Sequence, residues 1–280
     1  MKTLIVEGGG MRGVYSAGVL QAFQEQGYNP YSLYIGISAG SCNISSFLAQ
    51  QQHRDYRSYS WLMSSKNFIS IKNVLQGKSF MNLDWLWEVN QKYNPIDVDA
   101  AFSYLSQNSK KFLAVVSNLE IGLPDYIQPS IVNWMEVLKA SCAIPVFYKN
   151  KILIEGTQYV DGGLTDPLPI KKAIEMGATE ILVIRSQEFS YVKKQSFKTI
   201  IGSKFFAKHK ALKQLMLSHP TVYNAQVEAL RANYKNVKIH EICPKELRMG
   251  GLTKDKSLIE YTYQQGIKDG MRYLLEQKVI

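Results

Sequence analysis

Acidic side chains are missing from two long stretches of this 280-residue chain. No Asp or Glu occurs between Glu25 and Asp55, and none from Phe189 to Val227. The second gap holds seven lysines (Lys193, Lys194, Lys198, Lys204, Lys208, Lys210 and Lys213) and so most of the net charge of +10. Cysteine is scarce as well: Cys42, Cys142 and Cys243 lie far apart. An odd count argues against a disulfide framework, and the spacing forms no metal-ligand cluster. A reduced, cytoplasmic protein is the expectation. No apolar run approaches the roughly 18 residues needed to span a bilayer. The apolar stretch beginning at Leu4 is too short for a secretory leader. What is present, 46% hydrophobic and 20% charged residues, is an ordinary globular composition. At this length it can bury a full core as one domain with an insertion.

The lysine-rich gap has apolar residues at roughly helical spacing, among them Phe197, Ile200, Ile201, Phe205, Phe206, Leu212 and Met216. Over residues 193–213 this pattern fits a basic amphipathic helix, which can lie peripherally on an anionic membrane surface. It equally fits a solvated helix whose apolar side packs on the domain. No recognition motif for nucleic acid accompanies the charge.

Strand-like and helix-like segments alternate along the chain. Thr3–Val6, Leu33–Ile37, Phe112–Ser117, Glu180–Ile184 and Val237–Ile242 read as strands, with Ile152–Ile154 and Gln158–Val160 as a short hairpin. Helices are expected over 14–26, from 38 to about 51, and over 131–142, 167–176 and 254–277. This order predicts an α/β fold, a three-layer sandwich around a mainly parallel sheet. Residues 52–110, with Trp61, Phe68, Phe80, Trp85 and Trp87 among polar residues, read as a largely helical insertion or cap. Residues 189–280 read as a basic segment and a C-terminal extension completing a single domain of 1–280.

Two strand-end turns carry chemistry. The first is Glu7-Gly8-Gly9-Gly10-Met11-Arg12-Gly13. It matches a dinucleotide fingerprint through Gly8, Gly10 and Gly13, but that reading needs an acidic residue about 20 positions on. The acid-free stretch from Glu25 to Asp55 leaves the place empty. The glycines fit an oxyanion hole better, because consecutive N–H groups before a helix can converge on one point. Gly8, Gly9 and Gly10 are the candidates, with Arg12 adding charge. The second turn is Gly36-Ile37-Ser38-Ala39-Gly40, the G-x-S-x-G spacing of a nucleophile elbow. It names the Ser38 hydroxyl as a nucleophile and the Ala39 N–H as a further oxyanion donor.

Ser38 needs a proton acceptor. His53, His209, His219 and His240 all sit where structural or exposed roles are expected. Asp161, in Asp161-Gly162-Gly163 after a short strand, is the stronger candidate, although a tight turn alone also accounts for Asp-Gly-Gly. Asp166 competes, but its place before Pro167 suggests a helix N-cap.

Together Gly8–Gly13, Gly36–Gly40, Asp161–Gly163 and the block Ala140-Ser141-Cys142-Ala143-Ile144-Pro145 resemble, in order, the patatin-like phospholipases, which hydrolyse lipid acyl esters. The resemblance covers roughly residues 3–185. Asp166 stands where many members have Asn. It implies a dyad of Ser38 as nucleophile and Asp161 as general base, an oxyanion hole at Gly8–Gly10, an acyl-enzyme, and no cofactor or metal. A lipid or other acyl ester would be the substrate. Rival readings are an esterase or thioesterase acting on soluble acyl substrates, a dinucleotide-binding module, and a scaffold protein with a vestigial site.

Overall fold

The computed structural model describes residues 1–77, 79–195 and 209–280, leaving aside the side chain of Lys72. The strands are β1 (Lys2–Val6), β2 (Leu33–Ile37), β3 (Lys111–Asn118), β4 (Pro124–Ile127), β5 (Ile152–Ile154), β6 (Thr157–Asp161), β7 (Glu180–Ile184) and β8 (Lys238–Ile242). They form one eight-stranded sheet of order β5-β6-β3-β2-β1-β7-β8, with β4 also pairing β3. The run β3-β2-β1-β7-β8 is parallel, whereas β4 and β6 are antiparallel to β3.

Parallel sheets are covered on both faces, so their strands are apolar on both. Phe112, Ala114 and Val116 of β3 enter one hydrophobic cluster, and Leu113 and Val115 enter another. The first cluster is closed by α1 (Val14–Glu25), α2 (Ala39–Leu48), an insertion and α7 (Trp134–Ser141). The insertion contains α3 (Arg54–Arg57), a π-helical turn (Ser58–Met63), α4 (Ile71–Leu75), α5 (Leu83–Tyr93) and α6 (Val98–Gln107). The second cluster is closed by α8 (Ile170–Glu175) and α9 (Lys210–Arg231). The last helix, α10 (Lys256–Glu276), packs on the first face through Tyr273 and Leu274. Trp134 is fully buried there, its indole N–H donating to Ser45 Oγ at 3.0 Å. Truncating such a side chain costs about 3–5 kcal/mol. The fold is thus the expected three-layer α/β sandwich with a largely helical insertion.

Some local expectations need correction. Asp166 is not a helix N-cap: α8 begins three residues after Pro167, with Pro169 at its N-cap. The buried Asp166 carboxylate instead accepts a hydrogen bond from the Tyr126 hydroxyl. The helix after Ser38 stops at Leu48 rather than near Gln51, and β4 is an additional edge strand. The expected basic helix over 193–213 lies largely outside the described residues. Within them, residues 191–195 are irregular and helix resumes only at Lys210. Leu212 and Met216 pack with Val160 and Leu164, the domain-facing alternative.

Candidate active site

The sheet register brings the two turns of the elbow and the Asp-Gly-Gly segment together. Ala114 and Val115 pair with both β2 and β4, so these strands flank β3 on opposite edges. Val116 and Ser117 pair with both β4 and β6, so β6 occupies the edge that β2 leaves. The parallel β2 ends with Ile37 opposite Val115, and the antiparallel β6 ends with Asp161 opposite Val116. Their C-terminal ends therefore meet head-on along β3. Ser38 and Asp161 are the residues at that junction, each 6% exposed.

Ser38 has φ 53° and ψ −126°, a conformation rarely open to a residue with a side chain. Surrounding contacts hold it there. Its N–H donates to Ser141 Oγ at 2.8 Å, and Ser141 Oγ donates to the Val115 carbonyl at 2.7 Å. Gly40 lets α2 start tightly against β1, since a Cβ there would lie 2.2 Å from the Val6 carbonyl oxygen. Ala39 is the first residue of α2, where an N–H has no intrahelical acceptor.

The triple-glycine turn follows β1, the strand beside β2. Gly10 has φ 58°, and a Cβ would meet the Gly251 carbonyl oxygen at 2.7 Å. That carbonyl accepts from Met11 N–H at 3.0 Å, tying the loop to the C-terminal region. Gly8 is fixed by Ser186, whose Oγ donates to its carbonyl at 2.5 Å. The N–H groups of Gly9 and Gly10 have no acceptor among the described residues. Gly13 and Gly36 lie behind the site, the former accepting from Asn43 Nδ2 at 2.8 Å.

Asp161 stands at a turn that Gly162 and Gly163 continue, and its Oδ1 accepts from Gly163 N–H at 2.8 Å. Burial pushes its carboxyl up to about 6. The opposing influences are hydrogen bonding from the Ser38 hydroxyl, then the Gly163 N–H, then the charge of Lys193. The carboxylate is thus a stronger base than a free Asp, and the strand register puts it next to Ser38.

Two hollows meet at Ser38. One is a mainly apolar pocket of about 70 Å³ running into the insertion, lined by Tyr59, Phe68, Leu83, Leu86, Trp87 and Leu138 among others. Polar residues line it as well: Arg54 pairs with Asp55 at 3.1 Å and donates to Asn90 Oδ1 at 3.2 Å. Cys42 and Cys142, 100 residues apart in sequence, also line it, with sulfurs 3.8 Å apart. The other hollow is an open cleft of about 400 Å³ holding Gly8–Gly10, Arg12, Ser38, Asp161 and Gly163. Met81 and Ile144 stand at both mouths.

Three further residues of the cleft were not expected in it: Lys193, His219 and Tyr223. His219 is half-buried and lines the cleft. Its ring faces the Gly163 backbone, and burial, reinforced by Lys193, holds it down to about 3 and therefore neutral. Lys193 belongs to the cleft rather than to a solvated helix face. The only sequence signal for it was the absence of acids around it. Ser141 lies within one of the resembling blocks, but nothing in the pattern marks its contact with Ser38.

Comparison with known proteins accords with this geometry. The family model described as patatin-like phospholipase matches residues 4–174. A second, a domain of unknown function (DUF6363), matches residues 209–279. The uncharacterized protein YjjU of Escherichia coli (strain K12) is 32% identical over 242 residues, covering 86% of this chain and 68% of its own length. The probable lipid hydrolase 463L of Invertebrate iridescent virus 6 is 29% identical over 188 residues, covering 62% of this chain and 63% of its own. The crystal structure of VipD from Legionella pneumophila aligns over 98% of this chain and 67% of its own, at 15% identity and a TM-score of 0.46. The chain belongs to the patatin-like phospholipase family.

Proposed function

We propose that this protein hydrolyses carboxylic ester bonds of phospholipids or related lipids through a Ser38–Asp161 dyad and an acyl-enzyme. Family membership supports lipid hydrolysis as the activity. The observation that carries the mechanism is the head-on meeting of β2 and β6, which sets Ser38 beside a buried carboxylate raised to about 6.

Asp161 accepts the Ser38 proton as Oγ attacks the ester carbonyl carbon. The resulting oxyanion is received by the free N–H groups of Gly9, Gly10 and Ala39, near the Arg12 cation. Such a donor contributes about 3 kcal/mol. Collapse breaks the bond to the alcohol, which leaves with the proton held by Asp161. Water then gives a proton to Asp161 and attacks the acyl-enzyme; collapse breaks the bond to Ser38 Oγ, which takes that proton back, and frees the acid. The apolar pocket in the insertion takes the acyl chain, and the open cleft takes the leaving alcohol.

An esterase acting on soluble acyl substrates is the second reading, since about 70 Å³ holds the first carbons of an acyl chain, which is all that a short ester needs. Nitrophenyl esters of increasing chain length, measured against micellar phospholipid, separate the two. Contact with anionic membrane through residues 193–213 would make vesicle binding rise with anionic lipid and fall with salt. The dyad is tested with purified Ser38→Ala and Asp161→Asn: both should lose ester hydrolysis with the fold intact. Full activity in either refutes it.

A further inference from the structure

The cleft contains two cations with no carboxylate partner. Neither the Arg12 guanidinium nor the Lys193 ammonium lies in an ion pair among the described residues, and Arg12 Nε is buried without a hydrogen bond. None of the residues outside that set is acidic, so no unseen Asp or Glu completes them. The acids that share the cleft are engaged elsewhere. Glu7 Oε2 accepts from the Ser186 N–H at 2.6 Å, and Asp161 accepts from Gly163.

Lys193 is held in place on a built platform. The Asn224 side chain on α9 clasps its backbone from both sides, accepting from Lys193 N–H and donating to its carbonyl, each at 2.9 Å. Its ammonium lies 5.0 Å from the centre of the Tyr223 ring, and Arg185 donates to the Tyr223 hydroxyl at 3.0 Å. A flexible surface lysine needs no such support. Burial and then the Arg12 charge bring Lys193 down to about 8, against the pull of Glu7 and Asp161. An anion beside it would relieve both effects.

We propose that Lys193 is a specificity-determining residue that binds a phosphate carried on the leaving alcohol of the ester. The assignment rests on the proposed acyl hydrolysis, which puts the acyl chain in the insertion pocket and leaves the Lys193 side for the alcohol. A phosphate mono- or diester is the compact oxyanion that an ammonium point charge suits. Lys193 thereby favours phosphate-bearing lipid esters over neutral glycerides.

The test compares oleoyl lysophosphatidic acid with mono-oleoylglycerol in the same neutral detergent micelles. The wild type should prefer the phosphate ester in kcat/KM. Lys193→Gln should cut that preference about tenfold or more, mainly through KM, while Lys193→Arg retains most of it. Lys194→Gln, which removes the neighbouring exposed charge, controls for attraction to the micelle and should retain the preference. An unchanged preference in Lys193→Gln overturns the proposal. So does an equal fall for both substrates with a raised acid limb of the pH profile, because Lys193 would then act only through Asp161. A second readout does not depend on turnover. Ser38→Ala should bind lysophosphatidic acid more tightly than the monoglyceride, and adding Lys193→Gln should remove the difference. Loss of the dyad reading with this binding difference intact separates the two failures. Inorganic phosphate alone matching the lysolipid in affinity for Ser38→Ala would also overturn the proposal, because Lys193 would then read a free anion.

Discussion

Both sides of Ser38 are lined mainly by apolar residues, but only the C-terminal side adds cations without a carboxylate partner among the described residues. Toward the insertion the smaller pocket is lined by Phe68, Leu83, Leu86 and Leu138, with the paired Arg54 and Asp55. Toward the C-terminal region the cleft is larger, and Arg12, Lys193, His219 and Tyr223 share its wall with Phe147, Leu164 and Met216. An ester is similarly divided, with an apolar acyl chain on one side and a more polar alcohol on the other. The proposed catalytic groups lie at the boundary, and neither half of the chain supplies them alone. Ser38 and the glycine turn precede the insertion, Asp161 follows it, and Lys193 and Tyr223 come later still. Changes at the boundary should therefore abolish turnover of every ester, whereas changes on one side should re-rank substrates.

The largest effect is expected at the boundary. Ser38→Ala or Asp161→Asn should lower kcat for short and long esters alike by about 10³-fold or more, with circular dichroism unchanged. A substrate-dependent loss would mean the two sides are not served by one nucleophile. Next comes Gly10→Ala, which forces a side chain at φ 58° toward the Gly251 carbonyl. It should cost about 10²-fold in kcat through a displaced oxyanion loop, with little change in acyl preference.

A positioning residue gives a smaller loss. Ser141→Ala removes the acceptor for the Ser38 N–H and the donor to Val115, leaving buried groups unpaired. About 1–3 kcal/mol of stability should be lost in denaturant melts, and kcat should fall for all esters with KM nearly unchanged. On the acyl side, Leu86→Phe should shorten the preferred chain in a nitrophenyl ester series. Overpacking should cost about 1–3 kcal/mol, with the response to leaving-group charge retained.

The gentlest probe is pH. Asp161 must be ionised to act, so kcat/KM should rise with pH through about 6 and fall away below it. Stability should respond in the opposite sense. The folded state raises this carboxyl from 3.8 to about 6, so it favours the protonated form. Its contribution is full below about 3.8 and is lost as pH rises through about 6. Asp161→Asn should accordingly stabilise the protein by about 1–3 kcal/mol near neutral pH while abolishing activity.

The catalytic side of this picture was legible in the sequence because it depends on local rules. A strand followed by glycines, or by Gly-x-Ser-x-Gly, fixes a turn and so fixes which atoms stand at the strand end. The elimination of histidine also follows from local setting, although that setting did not show His219 in the cleft, whose other walls come from strands and turns far away in sequence. Lys193 was opaque for a related reason: seven lysines in an acid-free stretch look alike until tertiary packing selects one. Asp166 misled because Asp-Pro is a helix-start signal, which a buried bond to Tyr126 outweighed. The apposition of Ser38 and Asp161 depends on β2 and β6 sharing one edge of β3, a long-range register that turn chemistry does not encode.

The central claim is that Ser38 is the nucleophile activated by Asp161. Treating the purified protein with a fluorophosphonate and reading intact mass, then the modified peptide, tests it most directly. The account predicts a single adduct on Ser38, absent in Ser38→Ala, and formed far more slowly in Asp161→Asn or below pH 6. Ester hydrolysis that survives with Ser38 unlabelled, or labelling of Ser38 at the same rate without Asp161, would contradict it.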